Sequence, residues 1–287
     1  MYSRCNSVET SLKIFSNIMR KRDNGSWVAM ISSLVWNGMD EEGLMLVHDM
    51  QKQGFVTDYA TIASLLSAAS KLRNQEIGKQ THGYLLRHAI QFRGMERRLI
   101  DMYSRCRLVE AARTLFETSC IHYRDPDTWT AMIAGNTQNG LIEQAFIVLI
   151  RLMLDQSIGP NAMTLALILP ACSPLRSLAV GKQLHAYAYA IRNCLNHNVS
   201  VETALVNMYS KIGSIQYAEH VFANSSDRNS LTYTNMIMGY SQHGLSEKAL
   251  TLFYSMKKYD ISPDPLTMAA VLSACSYTQN IFHPTIY

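Results

Sequence analysis

The chain has 287 residues, of which 48% are hydrophobic and 17% are charged, and this balance excludes a disordered or fibrous protein. Its 26 Lys and Arg residues against 22 Asp and Glu residues give a net charge of +4, which permits a polyanionic partner but does not require one. The longest apolar runs, 145–150 and 163–169, are far shorter than the roughly 20 residues of a membrane-spanning helix, so no membrane partner is expected.

Three series of short motifs recur along the chain with a common superperiod of about one hundred residues. An aromatic residue opens the first motif at Trp27, Trp129 and Tyr233. The tripeptide Met-Tyr-Ser begins at residues 1, 102 and 208, and Gly-Lys-Gln begins at residues 78 and 181. Interleaved series of this kind indicate one repeat architecture rather than separate globular domains.

Alignment of the three series divides the chain into units of about 35 residues. In the first full unit, Trp27, Ile31 and Leu34 have the spacing of one helix face, and a second apolar stripe follows the turn at Asn37 and Gly38. Each full unit is therefore predicted to form a helical hairpin. The full units are 24–58, 59–92, 93–125, 126–161, 162–198, 199–229 and 230–264, with partial units at 1–23 and 265–287.

The twentieth position of every full unit holds a very small residue, which predicts that two helices approach closely there. Units of this length cannot bury their apolar faces alone, so consecutive hairpins must stack. We expect a single domain, an all-α, right-handed superhelical solenoid of about sixteen helices. The twentieth residues are Gly43, Gly78, Ala112, Ala145, Gly181, Ala218 and Ala249.

The motifs resemble pentatricopeptide repeats of the plant standard-long-short class, over nearly the whole chain. Tetratricopeptide repeats fit less well, because they carry glycine at an eighth position where this chain has Ile31, Ile133 and Ile237. The segments that carry the resemblance are 129–133 for a standard unit, 181–185 for a long unit and 102–106 for a short unit, with Pro160-Asn161 and Pro263-Asp264 closing two units.

This resemblance implies a non-catalytic adaptor that binds single-stranded organellar RNA sequence-specifically, with one base read per repeat. The expected process is recognition of C-to-U editing sites in a chloroplast or mitochondrion, with editing or RNA-processing proteins as further partners. No cofactor and no small-molecule substrate are expected. No transit peptide is visible in the sequence, and the ragged match of both ends to the repeat suggests a chain truncated at both ends.

In the family, the fifth and the last residue of a unit form the pair that reads a base, and Thr with Asn favours adenine whereas Thr with Asp favours guanine. The pairs that match are Thr130 with Asn161, Thr203 with Asn229, and Thr234 with Asp264. The remaining pairs are weaker candidates: Val28 with Asp58, Ala63 with Phe92, Arg97 with Asp125, and Ala166 with Asn198. The resulting expectation is an RNA of the form N-N-N-A-N-A-G.

Two other interpretations compete with base reading. Asn, Asp and Thr at these places also suit helix capping and turn formation, and the two roles can coexist. The concave face of such a solenoid also suits a protein-binding scaffold. An enzyme is not expected, because none of the nine histidines begins the H-x-E motif of a zinc deaminase and the sequence has no C-x-x-C.

Overall fold

A computed structural model describes residues 8–17, 23–55, 57–87, 94–118, 125–155, 158–190, 198–225 and 227–276. Over these ranges the chain forms sixteen α-helices, one 3₁₀-helix at Leu169–Cys172 and no β-strand. The helices are α1 (Val8–Asn17), α2 (Asn24–Trp36), α3 (Asp40–Lys52), α4 (Tyr59–Leu72), α5 (Gln75–Arg87), α6 (Glu96–Arg105), α7 (Val109–Thr118), α8 (Pro126–Gln138), α9 (Ile142–Leu154), α10 (Ala162–Ile168), α11 (Leu178–Ala190), α12 (Val199–Ile212), α13 (Ile215–Asn224), α14 (Ser230–Gln242), α15 (Ser246–Lys258) and α16 (Pro265–Ser276).

The helices alternate between the first and the second helix of a hairpin, and the first helices stack directly on one another. The chain divides into two compact halves, Met1–Gln144 and Ala145–Tyr287. In the first half, α2, α4, α6 and α8 pack in that order. In the second half, α10, α12, α14 and α16 do the same. The first helices therefore form the continuous inner layer of each half, and the second helices cover it.

An aromatic contact joins consecutive units wherever the aromatic motif recurs. Trp27 packs edge-on against Phe15, with ring centroids 5.0 Å apart. Trp129 meets Phe116 at 5.0 Å, and Tyr233 meets Phe222 at 5.2 Å, in the same T-shaped geometry. The same contact between units thus recurs with the superperiod of the sequence. In each case the aromatic side chain at the fourth position of a unit packs against a phenylalanine in the second helix of the unit before it.

The small residues at the twentieth position lie at close helix contacts, and Gly43 in α3 meets Val35 in α2 of its own hairpin, whereas Gly78 and Gly181 meet the next first helix. Gly78 in α5 is buried, and a Cβ atom there would overlap Met102 Sδ in α6. Gly181 in α11 meets Met208 Sδ of α12 in the same way, with only 2.8 Å between the sulfur and an added Cβ. Ala112, Ala145, Ala218 and Ala249 have no exposed surface.

One first helix is interrupted. The sequence pattern predicts a regular first helix for the unit 162–198, but α10 ends at Ile168 and continues as the 3₁₀-helix Leu169–Cys172. Pro170 has no N–H to donate to a carbonyl four residues earlier, so the chain tightens at this point.

Candidate nucleic-acid interface

Every described residue that closes a full predicted unit caps the first helix of the next unit. The side chain of each accepts a hydrogen bond from a backbone N–H in the first turn, at 2.7–3.3 Å. Such a cap stabilises a helix by about 1 kcal/mol. These residues are Asp58, Asp125, Asn161, Asn198, Asn229 and Asp264.

Five of these caps also bind the hydroxyl of a threonine three residues later, at the third position of the next unit. In each case the same Oδ1 atom accepts both the backbone N–H and the threonine Oγ1–H, over Oγ1···Oδ1 distances of 2.5–2.9 Å. The second terminal atom of the side chain is left for another partner. The threonines are Thr61, Thr128, Thr164, Thr232 and Thr267.

Thr203 and Asn229, a predicted reading pair, are joined through one of these threonines. Thr203 Oγ1 lies 2.7 Å from Thr232 Oγ1, and Thr232 Oγ1 donates to Asn229 Oδ1 at 2.9 Å. The only hydroxyl proton of Thr232 is donated to Asn229 Oδ1. The Thr203 hydroxyl must therefore be the donor in its hydrogen bond with Thr232 Oγ1. We call Thr203, Thr232 and Asn229 the first triad.

Thr234 and Asp264 are joined in the same way one unit later. Thr234 Oγ1 lies 2.6 Å from Thr267 Oγ1, which donates to Asp264 Oδ1 at 2.6 Å. The single Thr234 hydroxyl proton is shared between Thr267 Oγ1 and the Ser230 carbonyl, 2.8 Å away. Thr234 is fully buried, so its position is fixed by packing as well as by the hydrogen bonds. Thr234, Thr267 and Asp264 form the second triad.

The third predicted pair falls in two different halves of the chain. Thr130 is buried in α8, where its hydroxyl donates to the Pro126 carbonyl at 2.7 Å. Asn161 caps α10 and accepts from both the backbone N–H and the hydroxyl of Thr164 at 2.9 Å. Each residue therefore has the local geometry of its counterparts in the triads.

The triads present opposite hydrogen-bonding groups to a ligand. In Asn229, which is exposed, Oδ1 is occupied and the amide Nδ2 donor is left. In Asp264 the oxygen left is Oδ2, an acceptor. Hydrogen bonds from the side chain and backbone of Thr267 lower the pKa of Asp264, so this carboxyl is ionised at neutral pH and can only accept.

The weaker candidates offer less at the fifth position. Val28 and Ala166 are half-buried apolar residues in α2 and α10. Arg97 is exposed and forms an ion pair with Asp127 of the next unit, with Nη1 2.6 Å from Oδ2. Ala63, in α4, is half-buried as well, and Phe92, its predicted partner, lies outside the described residues.

The second position of every full unit is exposed, including Gly25 and Asp127. Only Met163 and Leu231 combine exposure with a large apolar side chain, at 62% and 49%. Leu266 holds the same position in the partial unit 265–287 and is also 49% exposed. These three side chains could stack against bases.

The third-position threonines were not predicted from the sequence as part of the site. Their signal was present, because a hydroxyl residue recurs three positions after the Asp or Asn that ends a unit, as in a helix-capping motif. The bridge to the fifth residue of the preceding unit was not visible, since it depends on how two first helices stack.

The repeated histidines serve packing. His82 Nδ1 lies 2.7 Å from Tyr103 Oη, and His185 Nδ1 lies 2.9 Å from Tyr209 Oη. Burial lowers the pKa of both histidines and raises the pKa of Tyr209 to about 12. Over the described ranges, no group of three or more His, Cys, Asp or Glu residues could hold a metal ion, and no helix is long and apolar enough to cross a membrane.

Comparison with known proteins agrees with this architecture. A model of the PPR repeat matches residues 25–55 and 127–155, and a model of the PPR repeat family matches residues 228–276. A chloroplastic pentatricopeptide repeat-containing protein of Arabidopsis thaliana is 56% identical over 97% of this chain and 33% of its own length. The chain belongs to the pentatricopeptide repeat family. A mitochondrial family member from the same plant is 35% identical over 98% of this chain and 50% of its own length.

This pentatricopeptide repeat chain therefore spans between a third and a half of those two relatives. Its fold is similar to the crystal structure of the pentatricopeptide repeat protein PPR10 in complex with an 18-nt psaJ RNA element. The TM-score is 0.72 at 13% identity, over 95% of this chain and 42% of that one. PPR10 from maize, in a separate crystal structure, gives a TM-score of 0.55 at 14% identity, over 93% of this chain and 43% of that one. These likenesses show the fold, an all-α solenoid of stacked helical hairpins.

Proposed function

We propose that this pentatricopeptide repeat chain is a non-catalytic adaptor that binds single-stranded RNA sequence-specifically and recognises C-to-U editing sites in a chloroplast or mitochondrion. The observation that carries the proposal is the pair of triads, which hold a polar atom of Asn229 and of Asp264 free at the same place in two consecutive units. The RNA bound in the PPR10 crystal structure and the organellar relatives support it.

The chemistry of the two triads supports different bases. The amide donor of Asn229 suits the ring-nitrogen acceptor of adenine, whereas the ionised Oδ2 of Asp264 suits the N–H donors of guanine. Because the two triads belong to consecutive units, one base per repeat places this adenine and guanine at neighbouring positions, in the order of the units. With Thr130 and Asn161 as the first reader, the preferred RNA is N-N-N-A-N-A-G.

The test is an exchange of specificity between the triads. Asn229→Asp and Asp264→Asn both retain an Oδ1 that accepts from the cap N–H, so both variants should fold. We expect Asn229→Asp to prefer N-N-N-A-N-G-G, and Asp264→Asn to prefer N-N-N-A-N-A-A, in binding measured by fluorescence anisotropy. Replacement of the three specified purines by pyrimidines should weaken RNA binding by the unchanged chain. An unchanged preference in both variants would exclude these residues as readers.

The editing role is tested separately from binding. RNA crosslinked to the chain in an organellar extract should be enriched in segments that contain an edited cytidine. The N-N-N-A-N-A-G pattern should lie upstream of that cytidine or overlap it. Enrichment of unedited transcripts with the same pattern would be consistent with the proposed RNA binding but would reject the editing role.

The lengths of the units also support the standard-long-short class of repeats, which is part of the same proposal.

A protein-binding scaffold is the second candidate, and one surface favours it. Ile147, Ile150 and Leu154 form an exposed apolar stripe on α9, with exposed fractions of 49%, 53% and 76%. A helix that binds an apolar partner has such a stripe. Salt separates the two functions, because RNA binding should weaken steeply as salt rises and apolar binding should change little.

A further inference from the structure

The turn inside each hairpin passes through one residue in the left-handed backbone region. That residue is the fifteenth of its unit throughout. Four full units use glycine there, with φ between +71° and +93°, and these are Gly38, Gly140, Gly213 and Gly244. The other three use arginine, at Arg73, Arg107 and Arg176, with φ of +52°, +62° and +48°.

Arginine is a poor choice for this turn on conformational grounds. A left-handed backbone brings Cβ against the following carbonyl, a strain that glycine avoids and that Asn or Asp tolerate better. Of the four non-glycine residues with positive φ in the described ranges, three are arginine at this one repeat position. The backbone conformation of the turn does not favour arginine, so we attribute its recurrence to a role of the side chain.

Arg73 and Arg107 lie in consecutive units, just beyond the ends of α4 and α6. Both are exposed, and among the described residues neither side chain has an ion pair or hydrogen bond. The neighbouring cations are engaged: Lys71 lies 3.5 Å from Asp40 and donates to the Val35 carbonyl, and Arg105 lies 3.0 Å from Asp101.

The acidic residues nearest in sequence are also engaged elsewhere. Glu76 is the second residue of α5, three residues after Arg73, and lies 3.9 Å from Lys79 of its own helix. Glu110 is the second residue of α7 and lies 3.4 Å from Arg113. The turn arginines therefore keep their positive charge available to an external anion.

The spacing of the two arginines follows the spacing of the repeat. Arg73 directly follows α4 and Arg107 lies two residues beyond α6. These two first helices pack directly, and packed helices lie about 8–10 Å apart. Each arginine stands ten residues after the fifth position of its unit, or about 15 Å along the helix. A bound strand that places one base on each unit also places one phosphate on each unit.

We propose that Arg73 and Arg107 bind consecutive phosphates of the single-stranded RNA at the turn edge of units 59–92 and 93–125. This inference rests on the proposed RNA binding and adds a second contact site to it. The guanidinium group holds a phosphate through two parallel N–H donors, which explains arginine rather than glycine at these turns. Units 59–92 and 93–125, which have weak candidates for base reading, would thus bind the RNA through its phosphate backbone.

The test is the salt dependence of RNA binding by the 287-residue chain with Arg73→Gly and Arg107→Gly. Glycine accepts the left-handed backbone, so the melting temperature should not fall. Each lost contact with single-stranded RNA lowers the slope of log K against log salt by about 0.7, so the double variant should lose about 1.4. Discrimination between N-N-N-A-N-A-G and its pyrimidine-substituted form should be unchanged.

The matched control removes the same charge from the second helices of the same two units, by Lys79→Ala and Arg113→Ala. Its slope should stay within about 0.3 of the unchanged chain. RNA binding with an unchanged slope in the arginine variant, or an equal loss in the control, would overturn the phosphate site alone. A chain that binds no RNA at low salt would overturn the proposed function and this inference with it.

Discussion

At the scale of single residues, one polar group caps a helix and still leaves an atom without a partner among the described residues. Asn229 and Asp264 accept from a backbone N–H at the start of a helix through Oδ1, and the second terminal atom is left. The proposed base reading would therefore not compete with helix capping, because the two roles would use different atoms of the same group. The third-position threonine contributes to this, since its hydroxyl binds the same Oδ1 atom as the cap N–H.

Thr232→Val tests the bridge in the first triad. The change leaves the cap N–H in place but removes the hydroxyl that accepts from Thr203, which is 5% exposed and would lose its partner. An unsatisfied buried hydroxyl costs about 1–3 kcal/mol, so urea unfolding should show a loss of that size. Thr251→Val, on the exposed face of α15, should change stability by less than about 0.5 kcal/mol. Equal losses would contradict the bridge.

The two half-buried histidines, His82 and His185, predict how stability depends on pH. Burial lowers their pKa in the folded chain, so between the folded and unfolded values the unfolded chain binds more protons. Stability should be full above the ordinary histidine pKa of about 6.5 and should fall as the pH drops toward 5. In His82→Gln with His185→Gln, unfolding by urea at pH 7 and pH 5.5 should show a smaller difference. An identical pH dependence in that variant would refute the assignment.

At the scale of helices, close approach governs what each position tolerates. Gly78→Ala should lower the unfolding free energy by about 1–3 kcal/mol, because the added Cβ overlaps Met102 of α6. Gly83→Ala, on the same helix, meets no atom within 4 Å and should raise it by up to about 1 kcal/mol. Thermal unfolding of both variants tests this prediction. Increased stability in both variants would mean that the Met102 side chain moves to accommodate the added Cβ.

The helices could be predicted from the sequence because apolar spacing and turn residues are local signals. First helices begin at Asn24, Tyr59 and Pro126, where the aligned units begin, since each follows its Asp cap or a repeat boundary. The 3₁₀ segment at Pro170 was missed because the apolar pattern continues through it. The threonine bridges were missed because they join residues about 30 positions apart, and only stacking brings those residues together.

At the scale of the molecule, stability accumulates junction by junction. Solenoid repeats contact mainly their neighbours, so the loss of one junction should be felt locally. The three aromatic pairs lie at contacts between consecutive units, and the spacing of the aromatic motif in the sequence predicts that these contacts recur. The partner phenylalanines at positions 15, 116 and 222 were not singled out from sequence, because nothing in the pattern tells which residue of the preceding second helix meets the aromatic ring.

Tyr233→Ala tests this local accumulation. Tyr233 is 2% exposed against Phe222, and truncation of a buried aromatic residue costs about 3–5 kcal/mol. Hydrogen exchange should therefore quicken in α12 to α15, on both sides of the junction, while α2 to α7 keep their protection. Tyr254→Ala removes a side chain that is 67% exposed in the same half and should leave exchange unchanged. Uniform loss of protection along the chain would show that the repeats unfold as one cooperative unit, because coupling would then extend well beyond neighbouring repeats.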